Sequence, residues 1–130
     1  MTPTQRTLKA QRDMGRLCDM VERFNPYGGE FGTRHDLFGF IDIIAVDCKE
    51  GIIGVQSCGQ AFSEHVHKMT EECHQKMYLW LRCAKVELWG WRKVKLKRGG
   101  KAERWKPRVM DFWLESNIIL WKERENGEQV

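Results

Sequence analysis

The chain of 130 residues lacks several features that mark common classes of protein. It contains no run of about 20 apolar residues and no hydrophobic signal segment, which argues against a membrane protein and predicts a soluble one. Its 5 cysteines are odd in number and have no disulfide-scaffold spacing, which argues against a secreted domain and indicates a reducing compartment. Glycine-rich phosphate loops, nucleophile elbows and Cys-His protease signatures are absent too, so the enzyme classes that they mark are disfavoured.

Length and charge set further bounds on the protein. A chain of 130 residues makes one domain with a single core, and its polar end, residues 123–130, is expected to fray. The formal net charge of +4 is modest, but basic residues concentrate between positions 92 and 108. We therefore expect any anionic partner to contact that segment.

One carboxylate stands in the middle of the apolar run formed by residues 37–47. This residue is Asp42, and a charge buried there without a partner costs of order 3 to 5 kcal/mol. The run has the two-residue period of a β-strand, and residues 52–56 are predicted to be its antiparallel return strand after a tight turn. The carboxylate therefore requires a partner within a hairpin.

The register of this hairpin indicates what that partner is. If Val46 pairs with Ile52, then Gln56 lies directly opposite Asp42, with roughly 5 Å between the β-carbons. A carboxylate and an amide carbonyl side by side are suitable ligands for Mg²⁺. The alternative is a buried aspartate that accepts hydrogen bonds from an arginine, a histidine or a backbone amide.

The remaining elements follow from periodicity. Apolar residues recur at helical spacing through residues 10–24 and again through residues 63–80, so both segments are predicted to be helices. Residues 86–91 alternate and are predicted to form the third core strand. The order is then a helix, an apolar hairpin, a second helix and a further strand.

This order, with Asp42 on the first strand of the hairpin and the short polar segment Gln56-Ser57-Cys58 on the second, resembles the PD-(D/E)XK nuclease superfamily. The likeness covers about residues 8–95 and is greatest to Holliday-junction resolvase-like and phage-encoded small nucleases. It implies an α/β fold of the restriction-endonuclease type, with an α-β-β-β-α-β core and a mixed central sheet. It also implies a DNA endonuclease that uses Mg²⁺ or Mn²⁺ in the cytoplasm of a bacterium or a phage-infected host cell.

The resemblance assigns roles to individual residues. Asp42 matches the first metal-binding aspartate, and residues 56–58 take the place of the (Asp/Glu)-x-Lys signature. Gln56 offers a carbonyl oxygen without charge, while Cys58 replaces the lysine that positions the attacking water. Lys68, on the predicted second helix, is the nearest lysine that can take over this role, and the alternative is a solvated helix lysine.

Two further acidic residues are candidates for the same site. The resemblance implies that a glutamate on the first helix, here Glu22, can complete the metal site, although an exposed glutamate is the alternative. Asp36 precedes Asp42 by six residues, about 20 Å of extended strand, so it joins the site only if the chain bends at Gly39. His35 is a weaker candidate for a base or a phosphate contact.

A basic β-ribbon is the second informative feature. Every second residue is basic at Lys93, Lys95 and Lys97, and Gly99-Gly100 offers a hairpin turn. We predict a protruding ribbon that contacts phosphates, with Trp105 placed to stack on bases. The alternative is an edge strand that lysines protect from aggregation. The predicted nucleic-acid-binding residues are Arg92, Lys93, Lys95, Lys97, Arg98, Lys101, Arg104, Trp105 and Lys106.

Several functions stay open at this stage. The first is a metal-dependent endonuclease that acts on branched or duplex DNA, and the second is a module of the same fold that binds nucleic acid without cutting it. A structural protein of a phage particle or mobile element is a weaker hypothesis. So is a zinc site, because the cysteines and histidines between residues 58 and 74 lack the usual ligand spacing. Resolvase-like relatives are often dimers, so a homodimer is also expected.

Overall fold

The computed structural model describes residues 1–125, which form three α-helices, one π-helical turn and eight β-strands. The helical elements are α1 (Pro3–Asp13), α2 (Phe62–His67), the π-helical turn (Lys68–Glu72) and α3 (His74–Leu81). The strands are β1 (Leu17–Met20), β2 (Arg23–Asn25), β3 (Thr33–His35), β4 (Ile43–Asp47), β5 (Gly51–Cys58), β6 (Lys85–Lys95), β7 (Glu103–Glu115) and β8 (Ile118–Glu123). None of the helices in this part of the chain has the length and apolar composition to cross a membrane.

Six strands form one mixed sheet in the order β1-β4-β5-β6-β7-β8, while β2 and β3 pair as a separate hairpin. Neighbouring strands of the sheet are antiparallel except for β5 and β6, which are parallel. Parallel neighbours need a crossover connection, and α2, the π-helical turn and α3 together provide it. The predicted α/β class with a mixed central sheet is therefore confirmed.

Helices cover both faces of this sheet. On one face, which we call the α1 face, Met14 packs against a cluster that includes Trp89. On the other, the α2/α3 face, Met69 and Met77 pack against Leu88. Leu88 and Trp89 are neighbours on β6 and point to opposite faces, as successive strand residues do. Apolar burial on both faces, worth about 25 cal/mol for each Å², holds the three layers together.

The hairpin of β4 and β5 has the predicted register. Val46 pairs with Ile52, and the ladder continues to Ile43 opposite Val55. One step further, the backbone N–H of Asp42 donates to the carbonyl oxygen of Val55 at 2.9 Å. Asp42 and Gln56 are thus the next pair along the ladder, on the α2/α3 face of the sheet.

The predicted helix over residues 10–24 is wrong, because α1 ends at Asp13. Gly15 follows with φ +84°, a left-handed conformation that commonly ends helices. Residues 17–20 then form β1 along the edge of β4. Leu17 is exposed and Cys18 is buried, which is the two-residue alternation of a strand. Backbone pairing with an otherwise open sheet edge outweighs the helical spacing of the apolar residues.

The predicted frayed tail, residues 123–130, is held at its first residues. Glu123 belongs to β8 and forms an ion pair with Arg108 at 2.8 Å. Arg124 forms ion pairs with Asp111 at 2.8 Å and with Glu87 at 3.0 Å. The rest of the predicted tail, residues 126–130, lies outside the described residues.

Candidate metal centre

Three carboxylates from two connections between strands meet at one edge of the sheet. Glu22 follows β1, Asp36 follows β3 and Asp42 precedes β4. One carboxylate oxygen of each residue lies within 4.8 Å of the others. We call these three residues the acidic centre. Within residues 1–125 it is the only group of three acidic, histidine or cysteine side chains with such spacing.

A sharp bend brings Asp36 to Asp42. Phe38 and Gly39 both have positive φ, 57° and 85°, so the chain reverses immediately after Leu37. Leu37 and Ile41 exchange two backbone hydrogen bonds of 2.9 and 3.0 Å across the bend. The bend predicted at Gly39 is therefore present. Asp36 and Asp42 lie much closer together than the separation of about 20 Å that an extended strand would give them.

Glu22 reaches the acidic centre by a different route from the predicted one. The prediction placed it in the last turn of the first helix, but it lies in the connection between β1 and β2. The backbone N–H of the preceding residue, Val21, donates to the carbonyl oxygen of Asp42 at 2.8 Å. This bond holds the β1–β2 connection beside the start of β4. Glu22 therefore reaches the acidic centre from the end of β1 and not from a helix.

Asp42 is the buried member of the acidic centre, with 5% of its surface exposed. Its Oδ2 accepts hydrogen bonds from the backbone N–H of Ser57 at 2.8 Å and from Nε2 of Gln56 at 2.5 Å. Burial, a hydrogen bond with the Asp36 carboxyl and the charges of Asp36 and Glu22 together raise the pKa of Asp42 to about 8, although the Ser57 N–H opposes the shift. Without a cation, the acidic centre therefore retains a proton near neutral pH.

Gln56 supplies an observation that favours a metal. Its side chain is 2% exposed, and while Nε2 contacts Asp42, the buried Oε1 has no hydrogen-bond partner among the described residues. A buried oxygen without a hydrogen-bond partner destabilises the folded protein unless a water molecule or an ion binds it. Rotation about the last side-chain bond offers a cation this carbonyl oxygen in place of the amide nitrogen. Three carboxylates and an amide oxygen are the hard oxygen ligands that Mg²⁺ takes, so these residues fit the ion.

Cationic side chains border the acidic centre. Lys68, at the start of the π-helical turn, places Nζ 3.4 Å from Oδ2 of Asp36. Lys68, the lysine predicted to lie near Asp42, is thus in contact with the acidic centre. Arg34 lies 3.9 Å from Glu22, a neighbour that sequence patterns did not indicate because it stands on β3, far from the motif. His35 instead bonds the Thr33 hydroxyl at 3.0 Å.

Cys58, which the resemblance places at the position of the signature lysine, carries no charge. It is 4% exposed, and burial together with the charge of Asp42 raises the pKa of its thiol to about 11, against the opposing charge of Arg108. A neutral thiol neither attracts a phosphate nor acts as a nucleophile. Any positive charge near the acidic centre therefore comes from other residues, of which Lys68 is in direct contact.

Hydrogen bonds behind Asp42 join α1 to the acidic centre. Ser57, whose N–H binds Asp42, donates its hydroxyl to Oγ1 of Thr7 at 2.9 Å. The same Thr7 oxygen accepts from Nε1 of Trp91 at 2.9 Å. Thr7 is fully buried, and no sequence motif pointed to it, because its role depends on how α1 docks on the sheet. These bonds hold the Ser57 backbone, and so Asp42, in place.

The basic ribbon is the continuation of β6 and β7 beyond their neighbours. The pairing of β5 with β6 ends at Cys58 and Gly90, and the pairing of β7 with β8 begins at Met110. Residues 91–95 and 103–107 therefore pair only with each other, as the predicted ribbon requires. Because β5 and β6 are parallel, the ribbon leaves the sheet at the edge that carries the acidic centre.

The two faces of the ribbon differ in their relation to the acidic centre. Arg92 pairs with Lys106, and Arg108 lies two residues further along β7 on the same face. The guanidinium of Arg108 lies 4.2 Å from the centroid of the Phe62 ring of α2. These residues therefore share the α2/α3 face with Asp42. The predicted row of Lys93 and Lys95 points to the α1 face instead, and Lys97 lies in the turn that closes the ribbon. Exposed residues of the ribbon and its turn include Arg98, Lys101 and Arg104.

Trp105, the predicted base-stacking residue, already has a partner. It lies on the α1 face opposite Lys93, and the guanidinium of Arg6 from α1 stands 3.9 Å from its ring centroid. Lys93 Nζ is 5.4 Å from the same centroid. The ring is 41% exposed, so Arg6 covers part of it in the free protein. Such a cation over an aromatic ring contributes about 0.5 to 1 kcal/mol at an exposed site.

No protein-family model, curated protein or solved structure matches the chain. What the chain does is therefore inferred from its own fold and from the acidic centre. The cysteines and histidines of the zinc hypothesis form no group of three ligands within residues 1–125, so the acidic centre is the candidate for a metal.

Proposed function

We propose that this protein is a metal-dependent endonuclease of the PD-(D/E)XK type that hydrolyses phosphodiesters in DNA. The observation that carries the proposal is the acidic centre, in which three carboxylates converge around the buried Asp42. Burial, and after it the hydrogen bond with Asp36 and the like charges of Asp36 and Glu22, raise the pKa of Asp42. Proteins place such unfavourable groups chiefly where a bound ion or a reaction needs them.

The order of elements supports the same proposal. Apart from the separate β2–β3 hairpin, which lies between β1 and β4 in the chain, α1, β1, β4, β5, the helical crossover and β6 follow the order α-β-β-β-α-β that the resemblance implies. Asp42 stands at the start of the second strand in this series, and residues 56–58 end the third. These are the positions at which the superfamily carries its two motifs.

In this proposal Glu22, Asp36 and Asp42 hold Mg²⁺ or Mn²⁺ through carboxylate oxygens, and Gln56 adds its carbonyl oxygen. A bound ion of this kind lowers the pKa of a water molecule and stabilises the charge that develops on the phosphate. The chain itself fixes Asp42 with the Ser57 N–H and Thr7 behind it. Lys68 supplies the positive charge that Cys58 does not, at 3.4 Å from Asp36.

The ribbon supports DNA as the substrate. Its lysines and arginines leave the sheet at the edge of the acidic centre, where they suit phosphate contacts along the backbone. Leu88 of β6 pairs with Gln56, and Arg92, which pairs with Lys106, lies four residues further along β6. This separation is about 13 Å at ~3.3 Å per residue. A DNA strand that crosses the α2/α3 face can contact both features at once.

Substitution of Lys68 tests its proposed role. We expect Lys68→Ala to lower kcat on the order of 100-fold, because one positioned charge that stabilises a transition state has an effect of that size. Lys68→Arg, which keeps the charge, should retain more activity than Lys68→Ala. The matched control is Lys49→Ala, in the turn at the far end of the β4–β5 hairpin, which should leave kcat unchanged. Equal activity of the Lys68→Ala and Lys49→Ala proteins would reject the role.

A second function has an observation in its favour. Both signature positions depart from the superfamily pattern, with an uncharged Gln56 and a neutral Cys58 thiol. A protein of this fold that binds DNA through the ribbon without cutting it accounts for both replacements. The acidic centre then has a structural role, for example in holding the β1–β2 and β3–β4 connections together around a cation.

A cleavage assay separates the two functions. Branched, single-stranded and duplex DNA are incubated with the protein in Mg²⁺, in Mn²⁺ and in EDTA, and binding is measured in parallel at several salt concentrations. We expect cutting that needs the metal, together with affinity that falls with salt. Salt-sensitive binding without cutting would establish the binding module. No affinity for any DNA at physiological salt would contradict both and favour the structural protein.

A further inference from the structure

The hairpin of β2 and β3 displays aromatic side chains beside the acidic centre. Within this hairpin, which we call the aromatic hairpin (residues 23–35), Tyr27 is 94% exposed, Phe31 is 86% exposed and Phe24 is 59% exposed. Large apolar side chains grouped on a surface commonly mark a binding site. Sequence patterns gave no role to Tyr27 or Phe31, and they placed Phe24 in the apolar stripe of the helix that was wrongly predicted over residues 10–24.

The aromatic hairpin has a defined structure that holds these rings outward. Tyr27 N–H donates to Oδ1 of Asn25 at 3.0 Å, and Gly28 N–H donates to the Asn25 carbonyl oxygen at 3.2 Å. Gly32, with φ +78°, lies so close to the Phe24 ring that a Cβ there would stand 2.6 Å from Cζ. Phe24 thus packs on the loop itself, which leaves Tyr27 and Phe31 as the projecting rings.

Positive charge lies beside Tyr27, and Phe31 projects from the same hairpin. The aromatic hairpin forms one wall of a cleft of about 1070 Å³, in which four cationic side chains accompany one carboxylate. The cations are Arg23, Arg34, Lys68 and Lys76, and the carboxylate is Asp36 of the acidic centre. The cleft therefore leads from Phe24 and Tyr27 to Asp36, one of the proposed metal ligands, and its charge is complementary to a polyanion.

We propose that the aromatic hairpin stacks unpaired bases of DNA, with Arg23 and Arg34 contacting the adjacent phosphates. Aromatic rings beside a positively charged groove are the usual means of holding single strands, since every base offers a flat face. In a continuous duplex those faces are occupied by neighbouring base pairs. The preferred substrate is then DNA with a single-stranded portion next to the scissile phosphate, such as a flap, a gap or an open junction. This inference rests on the proposed function and narrows its substrate.

The charge of the cleft favours DNA over a protein partner for the same rings. An apolar protein surface would have to remove water from Arg23 and Arg34 without bringing them an anionic partner, which is unfavourable. A phosphate backbone pairs those charges, and its bases cover the rings. A protein that binds here is nevertheless a distinct outcome of the experiment below.

The test measures binding in EDTA, so that it does not depend on cleavage. A single strand that carries 2-aminopurine, whose fluorescence falls on stacking, and a duplex of the same sequence are titrated with wild type and with Tyr27→Ala/Phe31→Ala. We expect the Kd for the single strand to rise on the order of tenfold for each lost ring, and the quenching to weaken. The Kd for the duplex should change less than about twofold, since the phosphate contacts that dominate it remain.

Matched variants and parallel measurements keep the outcomes separate. Tyr27→Phe and Phe31→Tyr keep both rings and should bind the single strand as wild type does. An unchanged single-strand Kd in the double alanine variant would overturn this inference, while metal-dependent cutting by wild type would leave the nuclease proposal standing. An equal loss for single strand and duplex would also overturn it. The inference would also be overturned if the double alanine variant changed its oligomeric state in sedimentation while its DNA affinity stayed the same. That result would identify the hairpin as a protein interface.

Discussion

Asp42→Asn is expected to abolish metal-dependent cleavage and to make the metal-free protein more stable at pH 8. The first effect follows because asparagine brings no charge to the acidic centre, so the cation loses its buried carboxylate. The second follows because the charged Asp42 is unfavourable where it is buried beside Asp36 and Glu22. The new amide N–H₂ can also donate to Oε1 of Gln56, which has no partner in wild type. A gain of stability with a loss of function is typical of an active-site residue.

The pH dependence of the stability has a definite sign. Between the ordinary value of 3.8 and about 8, Asp42 keeps its proton in the folded state and loses it in the unfolded state. The folded state therefore binds more protons there, so the free energy of unfolding falls as pH rises through this window, by up to about 1.4 kcal/mol for each unit. The decline ends above the folded pKa. Asparagine does not titrate, so the variant should lack this contribution.

Urea unfolding in EDTA at pH 5, 6, 7 and 8 measures the effect. The advantage of Asp42→Asn over wild type should grow with pH, and Mg²⁺ should stabilise wild type at pH 8 but not the variant. The control is Asp19→Asn on β1, an exposed aspartate that should show neither effect. Cutting that persists in Asp42→Asn, or a stability difference that is flat with pH, would contradict the assignment of Asp42.

Glu87→Ala is expected to destabilise the protein by about 3 to 5 kcal/mol, the usual cost of removing one partner from a buried ion pair. Glu87 lies on the α1 face with 3% of its surface exposed. It accepts hydrogen bonds from Arg16 at 3.0 Å, from Arg124 at 3.0 Å and from Nε1 of Trp89 at 2.9 Å. Burial by itself lowers the pKa of Arg16, and the contacts with Glu87 and Asp47 more than offset it, so the pKa is raised. Without Glu87, buried donors lose their acceptor.

A matched pair of variants distinguishes burial from charge in this network. Asp13→Ala removes one partner of the exposed Lys9–Asp13 ion pair, whose N···O distance of 2.9 Å resembles those of Glu87. Because that pair is solvated, the change should stay within about 0.5 kcal/mol. Glu87→Gln keeps an acceptor for Trp89. Its loss in free energy of unfolding, measured with urea, should lie between the losses for Glu87→Ala and Asp13→Ala. Similar costs for Glu87→Ala and Asp13→Ala would show that the buried network contributes little.

The hairpin of β4 and β5 could be predicted because its determinants are local. Alternation of apolar residues and the length of the turn were sufficient to pair Val46 with Ile52 and so to place Gln56 beside Asp42. The same kind of pattern misassigned residues 17–20, whose apolar spacing suits a helix as well as a strand. The choice between the two depends on the open edge of β4, which belongs to another part of the chain.

The sequence by itself determined the α/β class, the basic ribbon and the pair of Asp42 and Gln56, since each follows from periodicity or charge within one segment. Only the tertiary structure decided that Glu22, Asp36 and Lys68 meet around this pair, because contacts between distant segments depend on the bend at Gly39 and on the docking of the crossover helices. It also decided that Lys93 and Lys95 point away from the acidic centre while Arg92 and Lys106 share its face. The physical reason is that the face occupied by a strand residue is set by its register with both neighbouring strands and by the helices packed on them.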